Sequence, residues 1–254
     1  MSQVPSPPTR RAQESLLDVL RDFYPPYLLR YQALQVTLGR LSGYFVGKRV
    51  LDFGCGAGMS ACVVAELGAA SVTGVDTFPK MMARGTELLS RSGYDDIVRL
   101  QLVEDTRRVP FADDAFDTIL CNAVFEHIPQ PRDAYVREVW RLVKPGGFVV
   151  INETPNKYLP ADFHTLHLPV TNWLPSRLAH WIGVLTGRFD ESRTDWDFSG
   201  WRGAGYYELL RPIPKIKRLA VPELANVRQR VLHAIGLPSG LLDPYPLLVI
   251  QKRS

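Results

Sequence analysis

The sequence predicts an α/β fold in which a mostly parallel sheet carries helices on both faces. Three observations predict it. Short apolar runs alternate with stretches of helical period between residues 49 and 152. One such run feeds a glycine-rich turn, Val50-Leu51-Asp52-Phe53-Gly54-Cys55-Gly56-Ala57-Gly58. Acids stand at the ends of three successive predicted strands, as Asp52, Asp76 and Asp105. Continuous apolar runs belong to strands buried on both faces, and parallel neighbours are joined by right-handed crossovers.

The elements follow in order. Residues 1–9 read as a frayed polar tail. Leu16, Leu17, Val19, Leu20 and Phe23 sit at helical spacing in residues 11–24, and Pro25-Pro26 is expected to stop that helix. A second helix is expected over 28–41. Strands are predicted at 49–53, 71–75, 98–103, 116–121 and 148–152. The helix at 59–67 reads as amphipathic and is closed by Gly68. Another helix covers 80–90. In residues 131–143 the set Val136, Val139, Trp140 and Val143 marks one helical face, and Gly146-Gly147 turns the chain into the next strand. Residues 154–243 then break the rhythm, with four of the five tryptophans and no clean period. They read as an inserted aromatic-rich cap before a last strand at 246–251. The resulting division is 1–47 helical, 48–154 core, 155–242 cap or acceptor region, and 243–254 final strand.

Composition excludes several classes. In 254 residues, 46% apolar and 22% charged, enough apolar surface exists to offset chain entropy, so general disorder is excluded. Cys55, Cys62 and Cys121 are odd in number and lack paired-ligand spacing, which argues against a disulfide framework or a cysteine zinc site and fits a reducing cytoplasm. No run approaches the length of a membrane helix, and Met1 to Pro8 lacks the apolar stretch of a signal peptide. The net charge is only +4, but Arg211, Lys215, Lys217, Arg218, Arg228 and Arg230 face the single acid Glu223, an excess of five. That stretch suits either a solvated surface or an anionic partner.

The glycine turn carries the strongest chemical signal. A strand, a glycine-rich turn and a helix let backbone approach a nucleotide-like ligand closely. A dinucleotide fingerprint would place a third glycine three residues after the second, where Met59 stands, so a pyrophosphate is not expected. Asp52 can accept from a cationic amine. Asp76, eighteen residues beyond Gly58, can accept both hydroxyls of a ribose. Asp105 can accept from an adenine amine, with the backbone of Thr106 beside the ring. Helix capping is the plainer use of such acids.

With these residues in place, the chain resembles the class I S-adenosylmethionine-dependent methyltransferases, in the broad family of ubiquinone and menaquinone biosynthesis and natural-product enzymes. The resemblance runs from Val50-Leu51-Asp52 through Val75-Asp76, Glu104-Asp105, Val109-Pro110-Phe111, Phe116-Asp117 and Glu126-His127 to Leu142-Val143-Lys144-Pro145-Gly146-Gly147. It covers residues 48–155. It implies a Rossmann-like, doubly wound sheet of seven strands, with the last strand antiparallel, and S-adenosyl-L-methionine as cofactor. It further implies that Gly54, Cys55, Gly56 and Gly58 line the methionine and ribose, with Asp52 toward the ammonium. Asp76 and Thr77 would serve the ribose, Asp105 and Thr106 the adenine, and Asn122 the methionine end or the acceptor. Phe78 with Met81 or Met82 would pack on the adenine, or simply within the helix. Thr106-Arg107-Arg108 departs from the family by its basic character.

The acceptor is less legible. Methyl transfer from a sulfonium can rest on proximity and alignment, with a base needed only for a poor nucleophile. His164 is the first candidate base and His127 the second. His164 and His167 have a spacing that suits a metal, but no partner ligands stand out in the sequence, and no metal is expected. Trp173, Trp181, Phe189, Trp196 and Trp201 suit an apolar acceptor pocket under a closing lid, or the cap's own core. A small or lipid-like acceptor methylated at oxygen or carbon is therefore expected. A nucleic-acid or protein methyltransferase is the alternative, and a non-enzymatic cofactor-binding protein another. Base-modifying enzymes for exocyclic amines carry an Asp/Asn-Pro-Pro-aromatic clamp, whereas here the strand ends Asn122-Ala123-Val124-Phe125. The sequence carries no reading of oligomeric state.

Overall fold

The computed structural model describes residues 15–23, 25–214, 216–219, 231–232, 234 and 242–253. The helices are α1 (Leu16–Phe23), α2 (Pro25–Gly39), α3 (Met59–Glu66), α4 (Pro79–Ser92), α5 (Asp133–Leu142), α6 (Ser176–Leu185) and α7 (Tyr206–Leu210). The strands are β1 (Arg49–Phe53), β2 (Ser71–Asp76), β3 (Val98–Leu102), β4 (Phe116–Asn122), β5 (Val143–Asn152), β6 (Ile216–Leu219) and β7 (Leu248–Lys252). Two compact units divide the chain, one of residues 1–106 with 116–118, the other of residues 107–115 with 119–254. The expected tail at 1–9 and most of the basic stretch lie outside the described residues.

In the first unit the strand order is β3-β2-β1-β4, with β1, β2 and β3 parallel. Ser15 opens α1 by accepting the Asp18 N–H at 3.2 Å, and Leu16, Val19 and Leu20 bury one face of that helix. Pro25-Pro26 does begin a new element, but the second helix starts at Pro25 itself, earlier than expected. Proline fits the first turn because no intrahelical N–H is required there. Glu66 ends α3, and both its carboxylate oxygens are held: Tyr31 Oη donates at 2.6 Å and Tyr94 Oη at 2.7 Å. The helix α3 is not amphipathic as its sequence suggested, since all six residues from Ser60 to Ala65 are buried. A helix buried all round needs no polar stripe.

In the second unit the order is β4-β5-β7-β6, and β7 runs antiparallel to both its neighbours. These strands, together with the parallel set of the first unit, make the mixed α/β, mostly parallel fold that the sequence predicts. The strand β5 begins at Val143 and runs through Gly146-Gly147, where a turn was expected to precede it. The loop at Val109-Pro110-Phe111 is tied to α5 by side chains. Glu138 accepts the Val109 N–H at 2.8 Å, and Arg141 donates to the Phe111 carbonyl at 2.8 Å. Within residues 154–243, where no period was legible, α6, α7 and β6 form. Arg132, Lys157 and Glu208 make an ion triad on α7 in which Arg132 is buried and the other two half-buried, with Arg132 Nη1 2.9 Å and Lys157 Nζ 2.5 Å from the carboxylate. Among the described residues no helix is long and apolar enough to cross a membrane.

Candidate active site

The glycine turn after β1 is built from conformation first. Gly54, Gly56 and Gly58 take φ of 76°, 55° and 77°, a region that side chains disfavour, and Gly58 then opens α3. Gly54 and Cys55 donate to the Val75 carbonyl at 2.9 and 3.0 Å, which binds the turn to the end of β2. Asp76 completes the fastening. Its carboxylate accepts the Gly56 N–H at 2.8 Å and the Phe78 N–H at 2.9 Å. Leu100 of β3 fills the space behind the turn. A Cβ on Gly74 would lie 2.6 Å from Leu100 Cδ2, and one on Gly85 would lie 2.4 Å from Leu100 Cδ1. Leu100, Gly74 and Gly85 escaped the sequence reading, because a lone leucine in a strand carries no signal of which glycines it meets.

Asp52 is the electrostatic centre of this turn. It is 1% exposed, Ser60 Oγ donates to its Oδ2 at 2.6 Å, and its buried Oδ1 has no hydrogen-bond partner among the described residues. Burial pushes its pKa up to about 7, the Ser60 hydrogen bond opposes that rise, and the charge of Asp76 adds to it. The Cys55 thiol is likewise pushed up, first by burial and then by the two carboxylates. A buried carboxylate oxygen with nothing donating to it fits a ligand ammonium. The remaining residues singled out in this unit divide by exposure. Thr77 and Phe78 are exposed, while Asp105 and Thr106 are half-buried beyond β3. Met81 is half-buried, with its Cε 3.7 Å from where a Cβ of Gly56 would stand, whereas Met82 is buried in the helix packing. Of the two methionines, Met81 is the one at the turn.

The second unit holds a separate polar cluster. Asn122 ends β4 with its amide engaged twice, donating to Glu153 at 3.0 Å and accepting from Asn152 at 2.7 Å. Just beyond it, Glu126 is buried, and Thr154 Oγ1 donates to its Oε2 at 3.1 Å. His127 Nδ1 lies 2.9 Å from the Phe198 carbonyl. A carbonyl only accepts, so Nδ1 carries the proton, leaving the Nε2 lone pair directed elsewhere. That Nε2 is 3.9 Å from Glu126 Oε1. His164 stands edge-on to His127, with ring centroids 5.3 Å apart and planes inclined at 63°. Asp162 sets its loop, accepting the N–H groups of His164, Thr165 and Leu166. His167 does not join them; it is exposed at a φ of 53°. The pairing of His127 with His164 was not legible, although Asp two places before His164 is the usual signature of such a turn.

Comparison with known proteins relates part of the chain to a described family. Residues 51–151 match the family model described as a methyltransferase domain. The chain is 35% identical over 147 residues to a ubiquinone biosynthesis O-methyltransferase of Sodalis glossinidius, covering 57% of each chain. It is 32% identical over 120 residues to a 2-methyl-6-phytyl-1,4-hydroquinone methyltransferase of Synechocystis, covering 46% of this chain and 36% of that one. Residues 51–151 thus carry the methyltransferase domain that the family model describes. The chain spans 57% of the length of the first of these relatives and 36% of the second. Among solved structures, a putative methyltransferase from Methanococcus maripaludis aligns over 97% of this chain and 98% of its own, with a TM-score of 0.56 at 12% identity. A geranyl diphosphate C-methyltransferase of Streptomyces coelicolor, solved with Mg2+, geranyl diphosphate and S-adenosyl-L-homocysteine, gives 0.56 at 16% identity, over 87% of this chain and 78% of that one. These likenesses bear on the fold.

Proposed function

We propose that the chain transfers a methyl group from S-adenosyl-L-methionine to the oxygen or carbon of a small, lipid-like acceptor of the quinol or phenol kind. One observation carries the cofactor part: a turn of three left-handed glycines around a buried carboxylate whose Oδ1 has no donor among the described residues. The names of the relatives, a ubiquinone biosynthesis O-methyltransferase and a 2-methyl-6-phytyl-1,4-hydroquinone methyltransferase, support the acceptor class.

The bound cofactor supplies a methyl on a sulfonium, which departs as a neutral thioether. The protein's own residues hold and orient it. Asp52 ionises against the ligand ammonium and accepts from it through Oδ1. Asp76 keeps the turn closed with one lone pair of each oxygen and offers the others to the ribose hydroxyls. Asp105 and Thr106 serve the adenine edge, and Met81 packs against the ring. Gly54, Cys55, Gly56 and Gly58 give the backbone its close approach, and Asn122 acts by stiffening the end of β4.

Residues 155–242 set the choice of acceptor, and the cluster around His127 and His164 assists loss of the proton from an acceptor hydroxyl. The three cysteines are free and buried, which suits a reducing cytoplasm. The test incubates the protein with cell extract and labelled cofactor, then identifies the labelled product by mass. A labelled quinol or phenol supports the reading; labelled RNA or protein, or a thermal shift with NAD and none with the cofactor, overturns it. On the identified acceptor, His164→Ala should lose turnover while keeping cofactor affinity.

A further inference from the structure

We propose that Glu126, His127 and His164 form a three-ligand site for a divalent transition-metal ion of the zinc class. The first observation is convergence. One carboxylate oxygen and one nitrogen of each imidazole lie within 4.8 Å of one another. Tetrahedral ligands about 2.1 Å from zinc stand about 3.4 Å apart, so side-chain rotations of about an ångström close the site. Two imidazoles and a carboxylate are a donor set suited to such ions, and unsuited to Mg2+ or Ca2+, which favour oxygen.

The second observation is that each ligand is held from behind. The Phe198 carbonyl takes the Nδ1 proton of His127 at 2.9 Å, which presents the Nε2 lone pair toward Glu126. Metal-bound histidines characteristically have such an outer partner. Thr154 orients the carboxylate, and Asp162 fixes the loop of His164. Gly200 closes the back of the cluster, where a Cβ would lie 2.7 Å from His164 Nε2 and 3.0 Å from His127 Cε1. Thr165 Oγ1 binds the same strip of chain at the Ser199 carbonyl, 2.9 Å away. The site is also reachable, because the His127 side chain is 43% exposed while Glu126 is buried.

An ion with three protein ligands keeps at least one position open. What it does there rests on the methyltransferase reading. Held by Glu126, His127 and His164, the ion would act as a Lewis acid, so that an acceptor hydroxyl would lose its proton to solvent more readily. The histidines then act as ligands and not as free bases.

Binding is measured with neither cofactor nor acceptor present, so its failure is separate from failure of that reading. The chelator-treated full chain is titrated with Zn2+ by calorimetry and with Co2+ by visible absorption. One ion per chain is expected, with cobalt bands of low coordination number. His127→Ala and His164→Ala should each weaken Zn2+ binding at least a hundredfold, and His164→Gln should do the same while conserving size. Gly200→Ala should weaken it about tenfold. Cofactor binding, measured separately, should persist in all four as evidence of folding. Substoichiometric binding by the native chain, or equal binding by native and substituted chains, overturns the proposal.

Discussion

The glycine turn of the first unit and the aromatic segment of the second are stabilised in opposite ways. Around the turn, backbone conformation comes first: three left-handed glycines fold the chain, and Asp76 ties the result down. In residues 155–210 the backbone outside α6 and α7 is irregular, and buried side chains take up its polar groups. Asn172 Nδ2 donates to the carbonyls of both Leu159 and Ala161, Asn156 Nδ2 donates to that of Asp243, and Asp162 accepts three N–H groups. Trp196 packs on aromatic neighbours, its centroid 5.0 Å from those of Phe189 and Trp201 and 4.9 Å from His180, whereas Trp173 and Trp181, expected in a pocket or core, are exposed. Buried backbone must find partners by one route or the other. A turn held by conformation tolerates a polar ligand beside it, whereas a segment held by side chains fails when one of them is lost.

The largest effect should therefore fall in the second unit. Glu208→Ala strands Arg132 and Lys157, and a buried ion left without its partner costs about 3–5 kcal/mol. Chemical denaturation should register that loss. The acid side of the same triad can be read by pH. Burial alone would raise the Glu208 pKa, but Lys157 and Arg132 outweigh it and hold the carboxyl below its ordinary value. A depressed acid contributes stability that is present above its unfolded pKa of about 4.3 and lost as pH falls through the folded value. The native protein should lose this increment on acidification, and the Glu208→Ala chain should not.

In the first unit, function should suffer before the fold does. Asp76→Ala should weaken S-adenosylmethionine binding by about 2–3 kcal/mol, as charge-assisted hydrogen bonds disappear. Equilibrium dialysis measures it, and an unchanged affinity would place the ribose elsewhere.

Asp52 gives a smaller, graded effect. With its pKa near 7 in the free protein, more of it is neutral as pH falls, while an ammonium ligand needs it ionised. Cofactor affinity should therefore drop below pH 7, by up to about 1.4 kcal/mol per pH unit, with proton release on binding. Calorimetry in buffers of different ionisation enthalpy detects those protons. Asp52→Asn should flatten the profile.

The smallest effect isolates conformation from contact. Gly47 has a φ of 67° and open space where a Cβ would go. Gly47→Ala should cost only about 1–2 kcal/mol, the left-handed penalty alone. A larger loss in thermal melting would mean that the turn before β1 carries contacts beyond its backbone shape.

Much of the fold was legible because its signals are local. Strand-length apolar runs, the period of Val136, Val139 and Trp140, and the glycines after Asp52 each express a preference within a few residues. The same locality explains the misreadings. All-round burial of α3 depends on neighbours far along the chain, and Gly146-Gly147 reads as a turn although it lies within β5, where the Gln251 side chain donates to the Gly146 carbonyl. The short helix α7 and strand β6 are too brief to show a period of their own.

The same division runs through the candidate site. By itself the sequence determined the glycine turn, the order of Asp52, Asp76 and Asp105 at strand ends, and the absence of a dinucleotide fingerprint. Those follow from backbone geometry written into neighbouring residues. Only the tertiary structure decided that Asp52 keeps an oxygen with no donor among the described residues, that Met81 and not Met82 meets the turn, and that His127 meets His164 and not His167. Each is a relation between segments many residues apart. Local preference carries no record of it, because burial and close approach are properties of the folded chain.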